Sequence, residues 1–257
     1  MAFIIDLSDN PSSEWYEACA KVYPQTGSPD YWKIVESNVI QWAKDLTVSS
    51  FWSDTGGALD KWRTEYRGIT GSTLLSQVKL PDFVPKSKES ITDKLERKYP
   101  VDQLEGAFLG EYPIPNIGDM VRVRLTCSYL DGVEFLASKL MELAKSAGVT
   151  AIHEKQGKIE GYYAQHINIT QDVMLKIAGH TILIRISAEI QIATDMSTKM
   201  WDTSHGLYER TRGQPMEAEN WQWKHSDPRF ISNQLGHLVH LVDGLLIQLR
   251  ESTKRRK

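Results

Sequence analysis

The chain has 257 residues, 41% of them hydrophobic and 25% charged, a composition that supports one large domain or two small ones with a full core. A formal net charge of -3 gives no global pull toward nucleic acid or an anionic membrane, so affinity for phosphate has to come from a local patch. No apolar run of ~18 residues occurs, the opening "MAFIIDLSDNPSSEW" lacks the flanks of a signal peptide, and Cys19 and Cys127 stand without partners at metal-ligand spacing. The expectation is a cytoplasmic protein with two buried thiols and no membrane span, disulfide framework or zinc site.

Residues 11–46 begin with the capping signal "NPSSEW" and carry Val35, Val39, Trp42 and Leu46 at helical spacing, which predicts an N-terminal helical region. The glycines of "SDTGGALDKWRTEYRGITG" predict short helical pieces and a loop leading to residue 86. "KSKESITDKLERKYP" reads as a short basic helix capped near Ser87 and stopped by Pro100, with Lys86, Ser90 and Lys94 four apart on one face. After the Gly/Pro-rich "GEYPIPNIG", alternation around Val121, Val123 and Leu125 marks a strand. The next segment is an amphipathic helix with Asp131 as N-cap, Val133, Leu136, Leu140 and Leu143 on one face and Gly148 as stop.

"GYYAQHINITQD" and "TILIRISAEIQIAT" predict two further strands joined through "VMLKIAGH". The tail places Phe230, Leu235, Leu238, Val242, Leu245 and Leu249 at helical intervals and ends in "KRRK", a solubilising run or an anionic-partner contact. The fold class is α+β.

Residues 182–192 of the last strand set Ile182, Ile184, Ile186, Ala188, Ile190 and Ile192 on one face. Leu183, Arg185, Ser187, Glu189, Gln191 and Ala193 share the other, which reads either as solvated or as an ordered hydrogen-bonding row. Asp119 reads either as a turn residue after Gly118 or as a second acid for a metal that keeps phosphate and water in its remaining positions. Strict alternation would set Asp119 opposite Arg122 and Arg124, so a bulge or a strand start is needed if they act together. Tyr162 and His166 are packing residues with a wet end, or a base-stacking ring and a donor to phosphate or hydroxyl.

In this order the segments resemble the synthetase domain of the RelA/SpoT alarmone synthetases. "KSKESITDKLERK" is similar to the family's lysine-serine helix and "DMVRVRLTCSYLDGV" to its aspartate strand. "GYYAQH" resembles the Gly-Tyr-Arg-Ser-x-His motif, and "EIQIATDMSTKMWDTSH" the Glu-x-Gln-x-Arg-Thr strand with its following Trp and His. The resemblance covers roughly residues 84–210. It implies a polymerase-β-like nucleotidyltransferase fold, a mixed sheet flanked by helices, with a helical region over 1–80, the synthetase-like core over 81–212, and a C-terminal helix and basic tail over 213–257. It implies transfer of the β,γ-pyrophosphate of ATP to a 3′-hydroxyl.

By the same resemblance, Asp119 and Glu189 would hold Mg²⁺, and Glu189 would also activate the hydroxyl. Lys86, Ser90, Lys94 and Arg124 would grip ATP phosphates, Tyr162 would stack on the acceptor base, and His166 and Gln191 would position the acceptor. Departures fall at Val84, Tyr163 and Ala193, where arginines are expected, and at Arg122, where a glycine is. No His-Asp hydrolase signature is present, so synthesis without degradation is expected. Two acceptor branches follow: GDP/GTP-type or adenosine nucleotides, as in small alarmone synthetases, or the tRNA 3′ end, as in toxic members held by an antitoxin protein. The missing arginines and the tail lean toward RNA. The alternative class is a catalytically inactive sensor binding nucleotide or a partner protein.

Overall fold

The computed structural model describes residues 12–158, 161–177, 179–211 and 221–254. The opening residues 1–11 and the last three of "KRRK" lie outside that set, as does the His205 side chain. No helix among the described residues is long and apolar enough to cross a membrane.

Ser12 caps α1 (Ser13–Val22), its hydroxyl accepting from the Trp15 N–H. α2 (Pro29–Thr47) buries the predicted Val35, Val39, Trp42 and Leu46. Glycine punctuation misleads in the next stretch, which is one continuous helix, α3 (Ser50–Thr70). Phe51, Trp52, Leu59, Trp62 and Tyr66 recur on one buried face, and burial of that face outweighs the ~1 kcal/mol that a mid-helix glycine costs.

β1 (Val84–Pro85) precedes α4 (Lys88–Lys98). A two-stranded ribbon of β2 (Phe108–Leu109) and β3 (Ile114–Pro115) occupies the Gly/Pro-rich connection. β4 (Val121–Cys127) and α5 (Leu130–Ser146) stand as expected, but Asp131 is not the N-cap. Tyr129 holds that position, and Asp131 in the first turn accepts from the Tyr66 hydroxyl and pairs with Arg250. β5 (Ala151–Gly157) was not predicted. β6 (Tyr163–Ile177) runs through "VMLKI" without a break to a turn at Gly179, and β7 (His180–Thr194) returns. α6 (Asp195–Thr211) and α7 (Pro228–Lys254) follow. The principal sheet is mixed, with order β1-β4-β7-β6-β5.

The chain divides into two compact units. The first draws on residues up to Thr47, on Phe83–Arg122 and on Gln171–Ala188. Its core is aromatic: the Trp15 and Trp42 indole N–H groups donate to the carbonyls of Tyr99 and Met174, and the Tyr31, Trp32 and Phe108 rings meet edge to face. The second draws on Val48–Asp82, Val123–Thr170 and residues from Glu189 onward. There α3 packs on α5, and Val123, Leu125, Leu136, Leu140, Ile190 and Ile192 are buried. Cys19 and Cys127 are free, buried thiols, and burial pushes Cys19 up to about 12.

α7 turns a polar face inward. Leu235, Leu238, Leu245 and Leu249 are exposed, while Arg229, Asn233 and Asp243 are buried. Several inward polar groups answer partners. Asp243 accepts from Thr194, His237 shares a 2.8 Å hydrogen bond with the Tyr163 hydroxyl, His240 stacks on Tyr163 at 3.7 Å, and Arg250 pairs with Asp131. Gly236 lets the helix backbone approach Gly161, which has φ +75° and where an added β-carbon would stand 2.5 Å from the Asn233 carbonyl oxygen. Close backbone contact and specific polar bonds dictate which face turns inward, over the hydrophobic pattern.

Candidate functional site

In the first unit β1 delivers Lys86. Val84 and Pro85 pair with Arg122 and Val121, and the Lys86 N–H donates to the Met120 carbonyl, which fixes the lysine beside the entrance to β4. Lys86 therefore precedes the basic helix, a correction to the expected helical face; only Ser90 and Lys94 lie on α4. The helix starts at Ser87, whose hydroxyl accepts from the Ser90 N–H and lies 3.2 Å from the Ser90 hydroxyl. One turn later Lys94 points back toward Asp119.

Asp119 occupies the turn ahead of β4, so strand alternation does not govern it. Lys86 Nζ lies 2.8 Å from Asp119 Oδ2 and Lys94 Nζ 2.8 Å from Oδ1. The Asp119 and Lys86 side chains are 13% and 7% exposed, Lys94 32%. Burial opposes ionisation of Asp119, but the two ammonium groups outweigh it and hold the carboxyl well below the usual range. Burial lowers Lys86, and Asp119 offsets only part of that. The result is a fixed carboxylate between two cations.

In the second unit the outward row of β7 is hydrogen-bonded. Glu189 Oε2 lies 3.1 Å from His166 Nδ1, and His166 Nε2 lies 2.9 Å from the Tyr162 hydroxyl. Gln191 donates its amide to Glu189 Oε1. The Glu189 and His166 side chains are 13% and 12% exposed, so this chain is shielded from bulk water. The row grades from exposed Leu183 to buried Ala193, and the ordered reading of that face holds only at its Glu189 end.

Trp201 of α6 tilts against the Tyr162 ring at 4.7 Å between centroids, and its neighbour Asp202 pairs with Arg124 at 2.7 Å. The space bounded by Arg124, Tyr162, Gln191 and Trp201 is only about 10 Å³, roughly one water. Asp202, His237 and Asp243 escaped the sequence reading. Their signal was a polar residue at regular spacing on a helix, which ordinarily means a solvated face.

The structure thus gathers Lys86, Ser90, Lys94 and Asp119 in one unit, and Arg124, Tyr162, His166, Glu189 and Gln191 in the other. Among the described residues no group of three or more His, Cys, Asp or Glu could hold a metal by itself. The available donors are separate hard carboxylates, a set that suits Mg²⁺ arriving with phosphate oxygens and not a metal caged by protein.

No family model matches the chain, and no curated protein does. Solved structures do. The small alarmone synthetase 1 from Bacillus subtilis is 16% identical with a TM-score of 0.53, over 88% of this chain and 99% of that one. A GTP pyrophosphokinase family protein from Streptococcus pneumoniae is 17% identical with a TM-score of 0.54, over 89% and 97%. The Bacillus subtilis synthetase 1 bound to its product pppGpp is 17% identical with a TM-score of 0.50, over 82% and 97%. At such identities the likeness is one of fold: the chain folds as the small alarmone synthetases do.

Proposed function

We propose that the protein is a cytoplasmic, ATP-dependent pyrophosphotransferase acting on a 3′-hydroxyl. The observation that carries this reading is the Asp119 carboxylate fixed between Lys86 and Lys94 at the entrance to β4, where the resemblance puts the metal-binding acid. Transfer of a pyrophosphoryl group needs counter-charge on the phosphates and a base for the attacking hydroxyl. Lys86, Lys94 and the Ser90 hydroxyl supply the first in one unit, and Arg124 would add to it on leaving Asp202. Asp119 and Glu189 each offer a hard carboxylate to Mg²⁺, which when bound neutralises phosphate charge.

Glu189 is the base. It accepts the 3′-hydroxyl proton as that oxygen bonds to the β-phosphorus of ATP; the bond from that phosphorus to the α,β-bridging oxygen breaks, and AMP leaves. His166 shares the proton through Nδ1, while the Tyr162 hydroxyl fixes its other nitrogen and Gln191 orients the carboxylate. Stacking of an acceptor base on Tyr162 requires Trp201 to move aside, since the present space admits little more than a water.

Two acceptor classes fit. A nucleotide acceptor of GDP/GTP type is supported by the fold neighbour bound to pppGpp. A tRNA 3′ end, in a toxin restrained by an antitoxin, is supported by Tyr163 and Ala193 in place of arginines. An inactive nucleotide or partner sensor is favoured by one observation, that Arg124, Lys86 and Lys94 are already paired with acids. γ-Labelled ATP with Mg²⁺ and GDP, GTP, AMP, ADP, ATP or deacylated tRNA separates these readings. Label on nucleotide or on tRNA identifies the branch, and ATP binding without any labelled product establishes the sensor.

A further inference from the structure

We infer that a cavity of about 240 Å³ in the second unit, behind the Glu189 row, binds an uncharged, bicyclic aromatic molecule that carries a hydroxyl group. Leu130 and Val133 of α5, Tyr163 and Ala164 of β6 and Ala193 of β7 supply its apolar wall. Tyr163 and Gln165 stand at odd spacing from His166 on β6, and Thr194 at odd spacing from Glu189 and Gln191 on β7. The wall they form is therefore the sheet face turned away from the candidate site. Tyr163, Ala193 and Ser197 also border the narrow space beside Trp201, and so make the partition between the two.

Size and shape select the guest first. An apolar cavity of ~150 Å³ accepts benzene, so about 240 Å³ matches two fused rings. Tyr163 and His240 line it together with their rings parallel, 3.7 Å and 4° apart, an aromatic wall that favours a planar molecule. Charge is already settled on the polar part of the wall. Lys155 pairs with Glu134 at 2.7 Å, and Glu134 also accepts from Gln165. Asp243 engages Thr194 and Ser197, and His237 engages the Tyr163 hydroxyl. A carboxylate or phosphate would meet no unpaired cation there, and water would meet few open partners, which favours its displacement by an apolar body. The exception is His240, whose Nδ1 is buried with no hydrogen-bond partner among the described residues. Burial holds the imidazole below its ordinary value against the pull of Asp243, so the ring is uncharged at neutral pH. A hydroxyl both donates and accepts, and therefore suits that nitrogen in either tautomer.

Calorimetric titration of the full chain with 2-naphthol tests this. One molecule per chain should bind with a dissociation constant on the order of 30 µM. The anion 2-naphthoate, of the same shape, should bind at least about tenfold more weakly. Ala164→Leu fills the cavity and should raise the naphthol constant at least about 20-fold, with the circular dichroism spectrum kept. His240→Phe keeps a ring against Tyr163, removes the nitrogen and should raise the constant about fivefold. Should Ala164→Leu fail to fold, Gly157→Leu should also raise it about fivefold; that edge position is exposed, and an added β-carbon would stand 3.6 Å from the Tyr163 ring. No binding of 2-naphthol at about 1 mM, naphthoate bound as tightly as naphthol, or a constant untouched by the substitutions would each overturn the assignment.

Discussion

The Lys86–Asp119–Lys94 cluster and the Tyr162–His166–Glu189 chain treat a carboxylate in opposite ways. The first surrounds it with fixed cations, so that Asp119 stays charged and its proton is out of reach. The second surrounds it with groups that can exchange hydrogen bonds: an imidazole, a phenol and an amide. The difference teaches a division of labour within the proposed chemistry, in which one acid holds charge and the other handles a proton. Removing an acid should therefore cost different things in the two places.

The largest effect is expected at the proton-handling acid. Glu189→Gln keeps the shape and the Gln191 contact but cannot take a proton, so kcat for label transfer should fall about 10³-fold while thermal unfolding shifts little. An unchanged rate would remove Glu189 from the mechanism. At the charge-holding acid the cost should appear first in stability. Asp119→Asn strands the buried Lys86 ammonium and should lower the urea unfolding free energy by about 3 kcal/mol. Lys94→Met, at a group one-third exposed, should cost about 1 kcal/mol or less. Equal losses from the two would mean that burial of Lys86 does not matter.

Tyr162→Phe keeps the ring against Trp201 and removes only the hydroxyl bonded to His166; about a tenfold loss in kcat, with a shifted pH profile, is expected. A loss in KM alone would assign Tyr162 to acceptor stacking and not to the proton path. A smaller effect concerns pH. Asp119 is depressed, so its stabilisation is present above the ordinary carboxyl value of ~3.9 and is lost as pH falls through its low folded value. Asp243 is raised by burial, against the opposing Thr194 bond. Its contribution is therefore present below ~3.9 and is lost as pH rises through the raised value. Asp119→Asn should flatten the acid limb of stability against pH, and Asp243→Asn should make the slope just above the ordinary carboxyl value less negative. The smallest effect is at the rim: Asp202→Asn should move stability by no more than about 0.5 kcal/mol and lower the KM for ATP by releasing Arg124.

Much of this was legible in the sequence where a single physical rule decided the outcome. Alternation marked β4 and β7, and a serine before a basic stretch marked the start of α4. The rule failed where two competed. Glycines argued against α3, and a continuous buried aromatic face prevailed. β5, "AIHEKQG", is an edge strand with Ile152 exposed, so it never shows the alternation that betrays a half-buried strand. α7 was readable as a helix, but not which of its faces turns inward, because what orients it is a set of partners on other elements that no local periodicity encodes. At the site, residue types were readable from pattern, but the Lys94 contact to Asp119 and the Asp202 contact to Arg124 depend on elements meeting in space.

Gly161 illustrates how differently one residue can be read. At the head of "GYY" it resembles a signature of nucleotide binding, yet its surroundings in the fold are Asn233, Gly236 and His237 of α7. It acts as a bearing: two bare backbones touch there, and the tyrosines that follow are aimed by that contact, Tyr163 toward His237 and His240, Tyr162 toward His166. Anything bulkier than hydrogen would lever the helix off the strand and turn both rings with it, so this glycine sets the aim of the candidate site without touching anything that would bind there.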